Sequence, residues 1–519
     1  MTPSSFRLLV VGLVFYSSAV VGPLKTRAQF TAPFVPLDIR EPQIPDISVK
    51  RDSSIRRTRE MMDKMRESMF QGLSRGFPRD PVPGRFDNES EPLGIESPES
   101  GAPKAGGLQI QIGELTHPEN QRLAIRDADG KRVVARYLVG SGPSRVVVLP
   151  DGQLAVRDAS ETQPTDDRFE AATMDEVRDQ WLNDPRLKSL GMQSLESRRF
   201  VFIYNTSEPF IRATRTILET MYPAVRKYFS RTMVPTHEPE FPPVFIAFAT
   251  EDKFQEFERM PQGVVAYYDT NANHVTLFER SKLSEDAPEV AVKNAISTIA
   301  HEGVHQILHN IGVQQRLSRW PMWLGEGLPE FFSPTSVDRN ARWKGLGATN
   351  DLRMKDVVED VRGGNPLGRG HRLERLVSLD QLDSLDYAYS WSLIHMLARK
   401  HRDELFNCIQ EASRIKPLSH LAKGSDASRE MDQLFVQHFG GDFAGIEGEL
   451  NRHLSSLRWI DPATNQTHYL VVAGSQVILT TSPSRVESLR RGMVPTQRFQ
   501  VQRFPNRGSA TRAMQAIAR

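Results

Sequence analysis

Cysteine is nearly absent from this chain: Cys408 is the single thiol in 519 residues. That excludes an intramolecular disulfide, a cysteine-rich zinc finger and an iron–sulfur centre. Charge of one sign is also scarce in excess. Lys and Arg number 66 against 64 Asp and Glu, a formal +2, so no overall field draws the chain to nucleic acid or to a membrane. Long apolar runs are missing too. The best candidate, residues 8–22 after the lone charge Arg7, is broken by Ser17 and Ser18. It is shorter than the roughly 20 residues a spanning helix needs. A mean hydropathy of −0.44 excludes a polytopic membrane protein, while 39% hydrophobic residues can still fill a core. The basic start, the short apolar run and Thr26-Arg27-Ala28 together read as an export signal spanning 1–28. No cysteine follows the run, so a lipoprotein anchor is excluded. A secreted or periplasmic bacterial protein without a later transmembrane segment is expected.

Proline then sets the first division. Residues 29–106 carry it at 33, 36, 42, 45, 78, 81, 83, 92, 98 and 103 with little apolar periodicity, and read as a flexible linker. Only 53–73, with Ile55, Met61, Met62, Met65, Met69 and Phe70, has the spacing of a short amphipathic helix. Residues 107–160 read as a small antiparallel β module. Its alternating segments 108–115, 122–126, 132–139 and 145–149 are punctuated by Asp129-Gly130 and Asp151-Gly152. Asp-Gly supplies the positive φ that tight hairpins require. An accessory or binding role is expected for it. Residues 168–460 change to mixed α and β, with strands at 199–204 and 243–249 flanking a helix at 211–229. A hairpin follows at 263–269 and 274–278, then helices at 286–311, 322–333, 385–401 and 403–414, and further helix to about 457. Residues 461–519 hold a hairpin at 467–481 and a basic tail from 482 with eight Arg against one Glu, a net +7. The export signal carries +3 through Arg7, Lys25 and Arg27, so the segment between it and the tail carries −8. The class expected is α+β.

One segment carries chemistry. Ala300-His301-Glu302-Gly303-Val304-His305 matches H-E-x-x-H inside a predicted helix. Asp286 can cap its start, Pro288 suits its first turn, and Gly312 can end it in the left-handed conformation. Ala295, Ile296, Ile299, Ile307, Leu308 and Ile311 give it a buried side. Positions i and i+4 share a helix face, so His301 and His305 can point neutral imidazoles at one Zn²⁺. Glu302, about 100° around the helix, can reach a water without occupying the metal position. His309 lies about 12 Å along the axis from His301 and reads as structural.

A third ligand is needed, and Glu326 supplies it. It sits amid bulky apolar residues in Pro321-Met322-Trp323-Leu324-Gly325-Glu326-Gly327-Leu328-Pro329-Glu330. A buried carboxylate there is costly unless paired or metal-bound. The stretch from 306 to 325 is long enough to finish one helix, turn, and bring a second across it.

His301-Glu302-x-x-His305 followed by Trp323-Leu324-Gly325-Glu326-Gly327 resembles the gluzincin metallopeptidases. More closely it is similar to the peptidase-MA-like proteins of a bacterial family described as a domain of unknown function. The likeness covers about 195–400. It implies a gluzincin-like catalytic domain of mixed sheet and helices, with zinc held by His301, His305 and Glu326 and with Glu302 as general base. Glu330 would accept a hydrogen bond from the outer nitrogen of a zinc-bound histidine. A tyrosine of Tyr387-Ala388-Tyr389-Ser390-Trp391-Ser392-Leu393 would stabilise the oxyanion, Tyr387 matching best and Tyr389 standing as the alternative. The hairpin at 263–278 would form the sheet edge where an extended peptide adds as a strand. Two features depart from the likeness. Pro329 requires the second helix to start close to Glu326 or to bend there. No motif for recognising a substrate's free N-terminus is present. The expected activity is zinc-dependent hydrolysis of peptide bonds in a peptide or protein substrate. No nucleic acid partner is expected, and the basic tail offers contact with an anionic polymer or the cell envelope. The alternative is a non-catalytic exported binding protein that keeps a structural zinc site.

Overall fold

The computed structural model describes residues 104–105 and 108–517, apart from short stretches at 112, 128–129, 232–233, 261–263, 281–287, 335–341, 423–426, 463–466, 474–475, 493–498 and 505–506. The predicted export signal, nearly all of the Pro-rich linker, its helix at 53–73 and the cap at Asp286 lie outside the described residues. What is described is an α+β protein, with antiparallel strands first and helices dominating later.

The β module forms as expected. Strands β1 (Arg122–Arg126), β2 (Arg132–Ser141), β3 (Ser144–Val148) and β4 (Leu154–Asp158) pair antiparallel in chain order. Gly152, in the turn before β4, has φ +83°, the conformation that Asp-Gly predicts. The sequence pattern does not separate out β4. The module does not close on itself. Ile110, Val139, Val146 and Leu154 share one apolar cluster with Phe241 and Leu418 from far downstream.

The next layer is a mixed sheet. It contains β5 (Gln193–Glu196), β6 (Val201–Tyr204), β7 (Val244–Thr250), β8 (Ala266–Asp269) and β9 (His274–Arg280), in spatial order β8-β9-β7-β6-β5. The three central strands run parallel and both edges antiparallel. Strand β6 and β7 up to Ala249 are continuous runs of apolar and aromatic residues because both faces are covered. Phe202, Phe245 and Ala247 face helix α2 (Glu208–Phe229). Val201, Ile203, Ile246 and Phe248 face α1 (Met174–Leu182) and α3 (Glu251–Phe257).

Helix α4 (Pro288–Asn310) lies against α2, β8 and β9. Gly312, with φ +84°, ends it as the sequence anticipates. Helix α5 (Met322–Phe332) crosses α4, starts one turn before Glu326 and continues through Pro329. Pro329 has no N–H, so the Gly325 carbonyl loses its helical donor. Helices α6 (Asp351–Arg362), α7 (His371–Ser378), α8 (Ser384–Lys400), α9 (Arg402–Ala412), α10 (Ala427–Phe439) and α11 (Phe443–Ser456) complete this region, with α6 and α5 both against α8.

The C-terminal stretch holds more than a hairpin. Strands β10 (His468–Ala473) and β11 (Gln476–Thr480) are joined by α12 (Pro483–Arg491), β12 (Phe499–Phe504) and α13 (Arg507–Ile517). The sheet order is β11-β10-β12, and the arginine-rich segment is built into it. Among the described residues, no helix is long and apolar enough to cross a membrane.

Candidate metal centre

Helix α4 places His301 and His305 one turn apart on the face toward α5, and α5 returns Glu326 to the same point. His301 Nε2 and His305 Nε2 lie 3.2 Å apart. Glu326 Oε2 is 3.2 Å from the first and 3.3 Å from the second. These three atoms form a nearly equilateral triangle. Tetrahedral coordination with bonds of ~2.0–2.1 Å has edges of roughly 3.3–3.4 Å, so the triangle has the size of one face of such a tetrahedron. The group could hold a metal ion.

The electrostatics favour a cation. His301, Glu302, Glu326 and Glu330 are all nearly solvent-free. Burial pulls His301 toward neutrality, but the neighbouring carboxylates of Glu326 and Glu330, with the charge of Glu302, outweigh it and raise its pKa to about 10. Burial would raise Glu326, yet the two histidines hold it well below the carboxylate range. Burial lifts Glu302, against the pull of the histidines and of a backbone hydrogen bond from Tyr268 on edge strand β8.

Behind His301 stands Glu330, one turn from Glu326 on α5. Its Oε1 is 3.2 Å from His301 Nδ1, close but poorly aligned as a hydrogen bond. The Glu330 carboxylate is itself gripped. Arg353 Nη2 donates to Oε1, Arg353 Nε donates to Oε2 at 2.9 Å, and Asn350 Nδ2 donates to Oε2 at 3.2 Å. Asn350 is also the N-cap of α6, its Oδ1 accepting from Arg353 N–H. Sequence reasoning finds Glu330 but misses Arg353 and Asn350. The cap pattern Asn350-Asp351-Leu352 marks a helix start, and nothing local ties it to a carboxylate on the preceding helix.

The two tyrosines part company. Tyr387, wholly buried in the first turn of α8, has its ring 6.1 Å from that of His301 and under the Arg353 guanidinium at 5.3 Å. Burial, then the negative charge of Glu326 and Glu302, keep its hydroxyl protonated. Tyr389 points elsewhere, donating to Asp360 Oδ2 at 2.8 Å beneath Arg372. His309 lies outside the triangle: its Nδ1 is 3.1 Å from the Gln314 carbonyl, its ring stacks on Tyr268, and burial lowers its pKa to about 3.

Two glycines allow this convergence. A Cβ on Gly303 would strike Leu218 on α2. A Cβ on Gly327 would sit 2.7 Å from Ile394 Cγ1 and 2.9 Å from the Ser390 carbonyl on α8. At Gly303 the end of the Leu218 side chain would have to move aside, at Gly327 the added carbon meets α8 backbone, and Gly325 has room at 3.7 Å.

No curated protein matches the chain. Residues 295–419, roughly a quarter of its length, carry every residue of the cluster, and over that stretch the chain is similar to a family whose description is "Protein of unknown function (DUF1570)".

Proposed function

We propose that the protein is an exported zinc-dependent peptidase of gluzincin type that hydrolyses peptide bonds. The observation that carries this reading is the triangle of His301 Nε2, His305 Nε2 and Glu326 Oε2, with edges of 3.2 to 3.3 Å. Zn²⁺ held by these three residues would supply a Lewis acid that polarises a carbonyl and acidifies water near neutral pH. The remaining work falls to the chain. Glu302 adjoins His301 on α4, and its buried carboxylate accepts a proton from the attacking water and returns it to the leaving amine. Glu330, locked by Arg353 and Asn350, keeps a proton on His301 Nδ1 so that Nε2 presents its lone pair. Tyr387 donates its hydroxyl hydrogen to the developing oxyanion. Edge strand β8, antiparallel to β9 and adjoining α4, is the place for an extended substrate to pair. Export rests on Arg7, the apolar run 8–22 and the small residues before position 29.

Purified protein is expected to contain about one equivalent of zinc. Glu302→Gln should retain that zinc and lose ~10²–10⁴-fold in kcat on a cleaved peptide. A metal-free native protein would sink the reading. Full zinc with no Glu302-dependent cleavage across a broad peptide library would favour the non-catalytic binding protein. The arginine-bearing unit from 482 offers a separate contact with an anionic polymer or the envelope. Its test is salt-sensitive binding that disappears on truncation after residue 481.

A further inference from the structure

The hairpin of β8 and β9 is tied to α4 by buried side-chain amides that the chemistry above does not use. One position beyond His305, Gln306 is wholly buried, and its Nε2 donates to the carbonyls of Val244 on β7 and Asn273 in the hairpin, 3.0 Å each. One turn further, Asn310 exchanges reciprocal hydrogen bonds with Asn273. Asn310 Nδ2 donates to Asn273 Oδ1 at 2.7 Å, and Asn273 Nδ2 donates to Asn310 Oδ1 at 3.0 Å. Asn273 Oδ1 also accepts from the Tyr268 hydroxyl at 3.0 Å. Asn273 has φ +55°, a conformation asparagine tolerates better than most residues. On the outer side, Asp269 Oδ1 accepts from the N–H groups of Asn271 and Ala272. The Leu154 N–H at the start of β4 donates to the Asn271 carbonyl at 2.7 Å.

Burying amides costs free energy unless each finds partners, and apolar residues would fill the same space without that requirement. What paired amides add is register: they bond in one relative position of the two elements. The elements joined here are the helix carrying His301, Glu302 and His305 and edge strand β8, which packs against it. A misplacement of about 1 Å between reacting groups can cost ~10²-fold in rate.

We propose that the Asn273–Asn310 pair, with Gln306, is a positioning element that fixes edge strand β8 relative to Glu302, braced from outside by the β module through Leu154. This rests on the peptidase reading above. It also gives the β module a role inside the catalytic unit rather than as an appendage.

The test compares Asn310→Ala, Asn273→Gly (glycine keeps the positive φ) and the double variant, each as the full zinc-loaded chain. Zinc content should match the unaltered protein. The kcat/KM for an extended peptide should fall ~10–100-fold, while that for a minimal reporter amide too short to reach β8 changes less than about threefold. The double variant should be no worse than the poorer single, as for a coupled pair. Independently of activity, backbone amide exchange across 266–280 should quicken about tenfold or more while that across 296–305 holds. Unchanged exchange at 266–280, or equal loss on both substrates, overturns the proposal. If the unaltered protein cleaves neither substrate, the peptidase reading has failed, and the exchange result alone decides whether the amides hold the strand. If Asn310→Ala does not fold, Asn273→Gly carries the same comparison.

Discussion

His301 and His305 turn their Nε2 atoms toward Glu326 and toward each other, whereas His395 on α8 and His453 on α11 share one hydrogen bond of 2.8 Å. The second pair is fully buried but has a carbonyl, that of Gly347, 3.2 Å from His395 Nε2 in place of a carboxylate. Burial first, then Arg399 and His453, push the pKa of His395 down to about 4. At His301, burial acts in the same direction and the surrounding glutamates, Glu326, Glu330 and Glu302, reverse it. Proximity of two imidazoles therefore says little about metal binding. The carboxylates brought in by α5 make one pair able to hold a cation, and their lack lets the other settle as a neutral hydrogen bond.

The largest effect should come from converting the first pair toward the second. Glu326→Ala should reduce zinc from about one equivalent to a trace at micromolar protein, read by elemental analysis after dialysis. His453→Phe, by contrast, should leave zinc content unchanged. Weakening the support behind His301 is milder: Glu330→Gln should lower zinc affinity ~10–100-fold, measured by competition with a chromogenic chelator. The pH dependence of stability sharpens the contrast from the other side. The folded pKa of His395 is depressed below its unfolded value, so its contribution is complete above about pH 6.5 and is lost as pH falls toward about 4. His453, lowered by burial and by Arg399 and Lys400 against the opposing charge of Glu449, changes in the same direction. Denaturant unfolding between those pH values should show a loss on the order of 3 kcal/mol from His395, much reduced in His395→Phe. The smallest effect belongs to the helix contact. Gly327→Ala should destabilise by ~1–3 kcal/mol through overpacking against α8, while keeping most of the zinc.

The candidate site is legible because its chemistry is local: His301, Glu302 and His305 fall within a little more than one helical turn, and Glu326 stands out as a charge in an apolar segment. Strands β6 and β7 are legible for a similar reason, since continuous apolar runs between helices signal burial on both faces. What lies hidden depends on partners distant in the chain. Arg353 resembles any helical arginine until Glu330 is seen beneath it. Asn273 and Asn310, 37 positions apart, look like a turn residue and a helix-end residue, and only the fold makes them a pair. The β module looks self-contained because no pattern within 107–160 announces that Phe241 and Leu418 complete its core. The arginines beyond 482 mask elements whose apolar positions, such as Phe499 and Phe504 on β12, are sparse.

The placement of the ligands on two helices has a further consequence for a chain with one cysteine. Two candidate ligands sit on α4 and the third on α5, with positions 306–325 running between His305 and Glu326. A cation gripped by all three closes that loop as a covalent bridge would. Loops of about this size correspond to roughly 3 kcal/mol of lost unfolded-state freedom. Such a bridge needs no oxidant to form and opens to a chelator instead of a thiol, which would tie the endurance of the fold to the availability of metal in its surroundings.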